Sequence, residues 1–263
     1  MSKIKDKRIW ITGASSGIGE ELAYQLASKG AVLILSARSV DKLHAVKEVC
    51  KEKYGANVIV YPLDVSDLDA IEKAVNHVTD KLGQIDVLIN NAGFGHTETF
   101  TEYDFSKVEN MFKVNVLGLM YMSQLIAKNM IQYKSGPIIN VASIAGKVAT
   151  PKSAVYSATK FAVIGFSNTL RLELKEHDIN VTTVNPGPVD TAFFDEFDPS
   201  GAYLKNVSSV VLSAEYVASQ TVKAIGTSKR EVNLPKLLDV ASKVYTLFPT
   251  ISDYIVRTAF NKK

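Results

Sequence analysis

Thr12-Gly13-Ala14-Ser15-Ser16-Gly17-Ile18-Gly19 is the stretch on which the reading of this chain turns. It follows a short apolar run, residues 8–12, and leads into a helically spaced series, Leu22, Ala23 and Leu26. Glycines crowded between a first strand and a helix let backbone N–H groups approach a pyrophosphate, and the helix N-terminus adds a favourable dipole. The spacing G-x-x-x-G-x-G differs from the commoner G-x-G-x-x-G, and no Gly-Lys-Ser/Thr follows as it would in a P-loop. Alone, the turn says "dinucleotide" and nothing finer, with a tight turn that binds nothing as the bland alternative.

Outward from this turn the same alternation repeats to the end of the chain. Short apolar runs at 8–12, 31–36, 57–61, 85–90, 137–142, 179–185 and 231–234 are separated by longer stretches with helical spacing. Most of the runs are continuous Val/Ile/Leu without alternation, as strands covered on both faces require. Val40, Leu43, Val46 and Val49 mark a helix over 39–53; Leu68, Ile71, Val75 and Val78 mark another over 66–82, with Ser66 as its expected N-cap. The pattern predicts an α/β fold: a single doubly wound, Rossmann-type domain with a seven-stranded, mainly parallel sheet and helices on both faces. Residues 1–234 form the expected nucleotide-binding and catalytic domain, and residues 235–263 a C-terminal helical extension.

Composition removes other classes. The chain has 263 residues, 46% apolar and 22% charged, enough to bury a full core without staples. Thirty basic against 27 acidic side chains, without a basic run inside the chain, give nucleic acid no footprint. The single cysteine, Cys50, forbids an internal disulfide and a Cys-rich zinc site, and no metal is expected. Without a signal-like N-terminus or about 18 consecutive apolar residues, a cytoplasmic protein is expected.

Two further groups of residues carry chemistry. The second strand ends Ser36-Ala37-Arg38, where a carboxylate holding ribose hydroxyls would be expected. Arg38 can pair with a 2′-phosphate, and Ser15 and Ser16 can donate to it, so NADP(H) is favoured over NAD(H). A solvated Arg38 at the start of the next helix is the alternative. Asp64, followed by Val65 after the third strand, is a candidate for an adenine amino group or, equally, a helix cap. The second group is Ser143, Tyr156 and Lys160. Tyr156 and Lys160 stand four residues apart on one helix face. A phenol with a pKa near 10 is a poor acid or base at neutral pH, and a neighbouring ammonium and a cationic nicotinamide ring lower it. Ser143 ends the fifth strand, at the crevice. Asn115 lies on the helix after Asn90-Asn91-Ala92-Gly93, where an amide or backbone group can hold a relay water.

With these motifs in this order, the chain is similar to the short-chain dehydrogenase/reductase family over residues 7–234. The resemblance rests on 12–19, Asn90–Gly93, Asn115, Ser143, Tyr156-x-x-x-Lys160 and Asn185-Pro186-Gly187. It implies Tyr156 as general acid/base, Lys160 lowering its pKa and binding the nicotinamide ribose, Ser143 polarising the substrate carbonyl and Asn115 completing a proton relay. It also implies that Gly13, Gly17 and Gly19, with Ile18 between them, carry the pyrophosphate. Asn91, Ala92 and Gly93 would form the cofactor floor, and Pro186, Gly187 and Thr191 would lie toward the carboxamide. The implied activity is NADP(H)-dependent interconversion of a carbonyl and an alcohol, with reduction as the net direction. An NAD-linked alcohol or hydroxyacyl dehydrogenase and a non-catalytic nucleotide-binding regulator are the alternatives.

Outside the shared motifs, residues 189–212 are expected to form a substrate lid. Phe193 and Phe194, with Phe197 and Tyr203 nearby, suggest an apolar substrate or, equally, loop packing against the core; Phe94, His96, Ile144 and Val148 are expected to line the pocket, His96 as a surface or wall residue and not a catalyst. The tail carries a helix-spaced apolar series broken at Pro249, expected to pack on the domain or on a second subunit; a cover for a lipophilic substrate or a membrane-surface contact is the alternative, and the mixed charges make membrane contact its weaker version. Helices over 105–132 and 153–177 are apolar around much of their circumference, so a homodimer or homotetramer is expected.

Overall fold

The computed structural model describes residues 4–134, 136–198 and 208–260. Strands and helices alternate: β1 (Arg8–Thr12), α1 (Gly17–Ala27), β2 (Val32–Ser36), α2 (Val40–Tyr54), β3 (Val58–Val60), α3 (Leu68–Leu82) and β4 (Val87–Asn90). Next come α4 (Phe105–Phe112), α5 (Leu119–Tyr133), β5 (Ile138–Val141), α6 (Ala154–Glu173) and β6 (Val181–Pro186). The last part holds β7 (Val189–Asp190), α7 (Phe193–Phe197), β8 (Leu212–Ser213), α8 (Ala214–Ala224), β9 (Glu231–Leu234), α9 (Lys236–Leu247) and α10 (Pro249–Phe260).

Seven strands form one sheet in the order β3-β2-β1-β4-β5-β6-β9, and every pairing is parallel. The chain winds one way from β1 to β3 and the other way from β4 onward. The crevice at the carboxyl ends of β1 and β4 is therefore the place where a ligand can enter between diverging loops. Ile9 and Ile11 of β1 face a core shared with α1, α2 and α8, whereas Trp10 faces one shared with α3 and α5. This two-sided burial explains why the strands read as unbroken apolar runs.

A buried polar chain crosses the apolar interior. Asn90 Nδ2 donates to Ser123 Oγ and Asn140 Oδ1, and Asn140 Nδ2 donates to Ser167 Oγ, each at 2.9 Å. Asn90 and Asn140 are register partners on β4 and β5. Their amides thus fasten α5, through Ser123, and α6, through Ser167, at one height on the sheet. A slip of either helix would strand polar groups in the core at a cost of about 1–3 kcal/mol each.

Several local expectations need correction. Asp67, not Ser66, caps α3, accepting from the Ala70 N–H at 3.0 Å; the shorter hydroxymethyl of Ser66 is instead engaged by Asp64. The expected helix over 105–132 is α4 and α5 joined by a π-helical turn, Lys113–Gly118. The stretch 153–177 ends in a 3-10 turn after Glu173. The lid segment contributes the parallel pair β7–β8 and helix α7; residues 199–207, including Tyr203, lie outside the described residues. In the tail, Leu238 and Val256 turn toward the protein, but Leu237, Val240, Val244, Leu247, Ile251 and Tyr254 are exposed.

The π turn brings α5 against the loop after β3. A Cβ on Gly118 would fall inside the van der Waals envelope of the Val65 carbonyl oxygen. Backbone cannot give way as a flexible side-chain end does. Gly118→Ala is therefore expected to lower the unfolding free energy by about 2 kcal/mol in urea titrations, despite alanine's better helix propensity. An equal or higher stability would show that this approach is not close.

Candidate active site

The glycine turn is held open by hydrogen bonds from the far side of the crevice. Thr12 Oγ1 accepts from the N–H groups of Asn91 and Ala92, each at 3.1 Å. Asn91 Nδ2 in return donates to the carbonyls of Thr12 and Gly13, at 3.1 and 3.0 Å. Gly13 (φ +66°) and Gly17 (φ +57°) adopt left-handed backbone, and a Cβ on Gly13 would lie 2.7 Å from Ala92 Cα. Ser16, at the N-cap of α1, makes no side-chain cap bond among the described residues. The amides of the first helical turn are thereby left to whatever occupies the crevice.

Above this turn opens a cavity of about 670 Å³, in the size range of small-molecule sites. Gly13, Ser15, Ser16, Gly17 and Ile18 line one end together with Arg38, Asp64 and Val65. Asn91, Ala92, Gly93, Pro186, Gly187 and Thr191 line its middle, and Ser143, Tyr156 and Lys160 the far end. Phe94, Ile144, Val148, Phe193 and Phe194 also border it. Gly19 and Asn115 sit behind the wall: Gly19 is packed against the Gly13 carbonyl, and Asn115 is buried. His96 is not a lining residue. Its ring lies edge-on to Tyr103, with Nε2 3.6 Å from Glu98, on the outside of the loop.

Lys160 is buried, and its Nζ donates to the Val141 carbonyl at 3.1 Å. The same nitrogen lies 5.6 Å from the Tyr156 ring centroid. A Cβ on Gly93 would stand 3.5 Å from it, so a larger residue there would crowd the ammonium. Burial disfavours the charged form and pushes Lys160 down to about 8. Ser143 Oγ accepts from Ala145 N at 3.0 Å and donates to the Pro186 carbonyl at 3.4 Å, a long bond at the cavity edge. The Asn115 amide is fully engaged: Oδ1 accepts from Phe94 N, while Nδ2 donates to Phe94 O and Thr159 Oγ1. Of the two groups expected to hold a relay water, the side-chain amide is thus occupied by protein partners. At a π turn, the main-chain carbonyl is the group left to serve.

Sequence reasoning missed several features. Lys42, in the first turn of α2, lines the cavity with Arg38 and Ser39; its place just inside the helix that follows Arg38 was the available signal. Asp64 uses Oδ1 to accept from the Ser66 amide and hydroxyl, which assigns that oxygen to the turn and not to the cap of α3. Phe197 packs edge-on against Tyr156 at 5.3 Å, and Phe193 lies 5.8 Å from it. Gly95 admits this aromatic cluster, because a Cβ there would meet Phe197 at 2.7 Å and Tyr156 at 2.8 Å. Leu238, Ala241 and Val256 bring the tail to the cavity wall. No local pattern marked this, since the tail meets the cavity only through tertiary packing.

A doubly wound fold with a glycine-turn crevice and a Ser/Tyr/Lys end defines a nucleotide-binding oxidoreductase class, and comparison with known proteins places the chain within it. A family model for short chain dehydrogenases matches residues 7–200, and the chain belongs to that family. It is 39% identical over 193 residues to the Homo sapiens protein named dehydrogenase/reductase SDR family member 7; the match covers 72% of this chain but only 57% of that protein's length. An uncharacterized oxidoreductase of Staphylococcus aureus is 33% identical over 220 residues, 84% of this chain and 94% of its own. Among solved structures, a short-chain dehydrogenase from Sphingobium yanoikuyae in complex with NADPH superposes with a TM-score of 0.80 at 25% identity, covering 95% of both chains.

The buried ammonium has a measurable signature. Between about 8 and the ordinary lysine value of about 10.4, the unfolded chain holds the Lys160 proton more tightly than the native one. Native stability attributable to this residue therefore rises with pH across that window. In chemical denaturation of the ligand-free protein, wild type is expected to gain about 3 kcal/mol relative to Lys160→Met between pH 7 and pH 11. A difference that does not move with pH would contradict the burial of the charge.

Proposed function

We propose that this protein is an NADP(H)-dependent oxidoreductase that interconverts a carbonyl and an alcohol, with Tyr156 as general acid/base and an apolar substrate. The observation that supports this reading is one cavity lined both by Gly13, Ser16, Gly17, Arg38 and Lys42 and by Ser143, Tyr156 and Lys160. Residues 1–234 form the unit that binds nucleotide and performs the chemistry, with 235–263 as its extension.

The residues present fit a nicotinamide dinucleotide. The open glycine turn and the uncapped first turn of α1 suit a pyrophosphate. Arg38, Ser39 and Lys42, with Ala37 where an acid would repel it, suit a 2′-phosphate. When bound, the nicotinamide supplies or accepts the hydride. The protein's share is orientation, one proton and one developing negative charge.

In the reductive direction, Ser143 Oγ donates a hydrogen bond to the substrate carbonyl and holds it in the crevice. The Tyr156 hydroxyl gives its proton to that oxygen as negative charge develops there. Lys160, locked by the Val141 carbonyl, stabilises the phenolate left behind and binds the adjacent ribose. The main-chain carbonyl of Asn115 accepts from the water that returns a proton toward Lys160. Pro186, Gly187 and Thr191, which line the cavity, would hold the carboxamide, and Phe94, Ile144, Val148, Phe193 and Phe194 would give the substrate an apolar enclosure. Exposed Leu117, Met120, Phe161 and Leu172 on α5, its preceding turn and α6 form the face through which the chain pairs as a homodimer or homotetramer.

Tyr156→Phe keeps the aromatic packing and removes the transferable proton. Assayed as NADPH oxidation against aliphatic and aromatic aldehydes and ketones, it is expected to lose about 10²- to 10⁴-fold in kcat with NADPH binding unchanged. Undiminished turnover would remove Tyr156 from the chemistry.

A further inference from the structure

The chain's excess positive charge is confined to its end. Residues 235–263 contain five basic side chains against two acidic ones, so the first 234 residues hold 25 of each sign and are neutral overall. Both tail aspartates are engaged internally. Asp239 accepts from Asn233 Nδ2 at 2.6 Å and from Lys243 Nζ at 2.9 Å, and Asp253 accepts from the Tyr245 hydroxyl at 2.8 Å. Among the described residues Lys236 and Arg257 form no ion pair.

The apolar pattern of the tail exceeds what the fold covers. At about 100° per residue, Leu238 and Ser242 of α9 face the protein, while Leu237, Val240, Val244 and Leu247 occupy an adjoining arc. That second arc is exposed, Leu247 by 72%. Helix α10 continues it with Ile251, Tyr254 and Ile255, also exposed. Lys236 and Lys243 border the arc on its other side. An apolar stripe edged by lysines, on two helices with three basic against two acidic side chains and followed in sequence by Lys262 and Lys263, is the pattern of a helix lying in a lipid interface.

We propose that α9 and α10 dock this protein on the surface of an anionic lipid bilayer, with the exposed stripe among the acyl chains and the basic residues at the headgroups. Charge complementarity selects this occupant over a second copy of the chain, because self-pairing through this face would bring two like-charged tails together. Leu238, Ala241 and Val256 carry the apolar arc from the outer stripe into the cavity wall. Resting on the oxidoreductase reading above, this continuity makes the substrate a lipophilic carbonyl or alcohol that enters from the bilayer.

The test is co-sedimentation of the full chain with vesicles of three parts phosphatidylcholine to one part phosphatidylglycerol, compared with phosphatidylcholine alone. Binding is expected on the anionic vesicles, weaker at raised salt and about tenfold lower in the double variant Leu247→Asp/Ile255→Asp. Both residues are exposed, and an unchanged urea midpoint verifies that the variant is folded. Absence of binding to both vesicle types overturns the proposal, as does binding that the double variant leaves intact. A change of oligomeric state in the double variant, by light scattering and without vesicle binding, overturns it in favour of a second copy. Because co-sedimentation needs no turnover, an inactive chain that still binds vesicles would sink the oxidoreductase reading and leave the docking surface standing.

Discussion

One buried ammonium organises this structure. Lys160 is buried apart from its edge on the cavity, so the fold must supply the polar contacts that make burial tolerable. It does so with the Val141 carbonyl at the end of β5 and with the space that Gly93 leaves open. Close to it, Asn115 bolts the π turn to the Phe94 loop and to Thr159 on α6. The Asn90–Asn140 pair sets the height of α5 and α6 on the sheet. These bonds fix the position of α6, and with it Tyr156.

The opposite end of the cavity is held by a different device. Thr12 and Gly13 share four hydrogen bonds with Asn91 and Ala92, fastening the glycine turn to the loop after β4 while leaving the first amides of α1 uncommitted. Arg38 and Lys42 stand beyond it as a pair of cations. Between the two ends the aromatic residues of α7 lean on Tyr156, and α9 and α10 close the remaining side. The enclosure is apolar where the proton-handling end would meet the substrate. Electrostatic interactions gain strength in such a setting.

Legibility followed the range of the interactions involved. The seven sheet strands were readable because two-sided burial writes itself as unbroken Val/Ile/Leu runs, and the Tyr156–Lys160 pair because helical spacing is local. The shared cavity of Gly13, Ser143 and Tyr156 could be anticipated once the parallel order was assumed, since carboxyl ends of strands converge. Contacts closed only by tertiary packing were not readable. Phe197 against Tyr156, Leu238 at the cavity wall and the engaged amide of Asn115 join segments far apart in sequence. The π turn at Lys113–Gly118 leaves the apolar periodicity of its helix nearly intact, so the pattern read as one continuous helix. Ser66 was mistaken for a cap because Asp67, one position on, offers the same chemistry with a longer reach.

The proposed function requires the Arg38 end and the Tyr156 end of one cavity to hold the same dinucleotide. Side-by-side titration of the purified chain with NADPH and NADH, followed by nicotinamide fluorescence, addresses that claim directly. Two cations at the 2′-phosphate position predict that NADPH binds at least about tenfold more tightly, the equivalent of one charge-assisted contact. Equal affinities, or a preference for NADH, would contradict the roles given to Arg38 and Lys42; binding of neither would contradict the site itself.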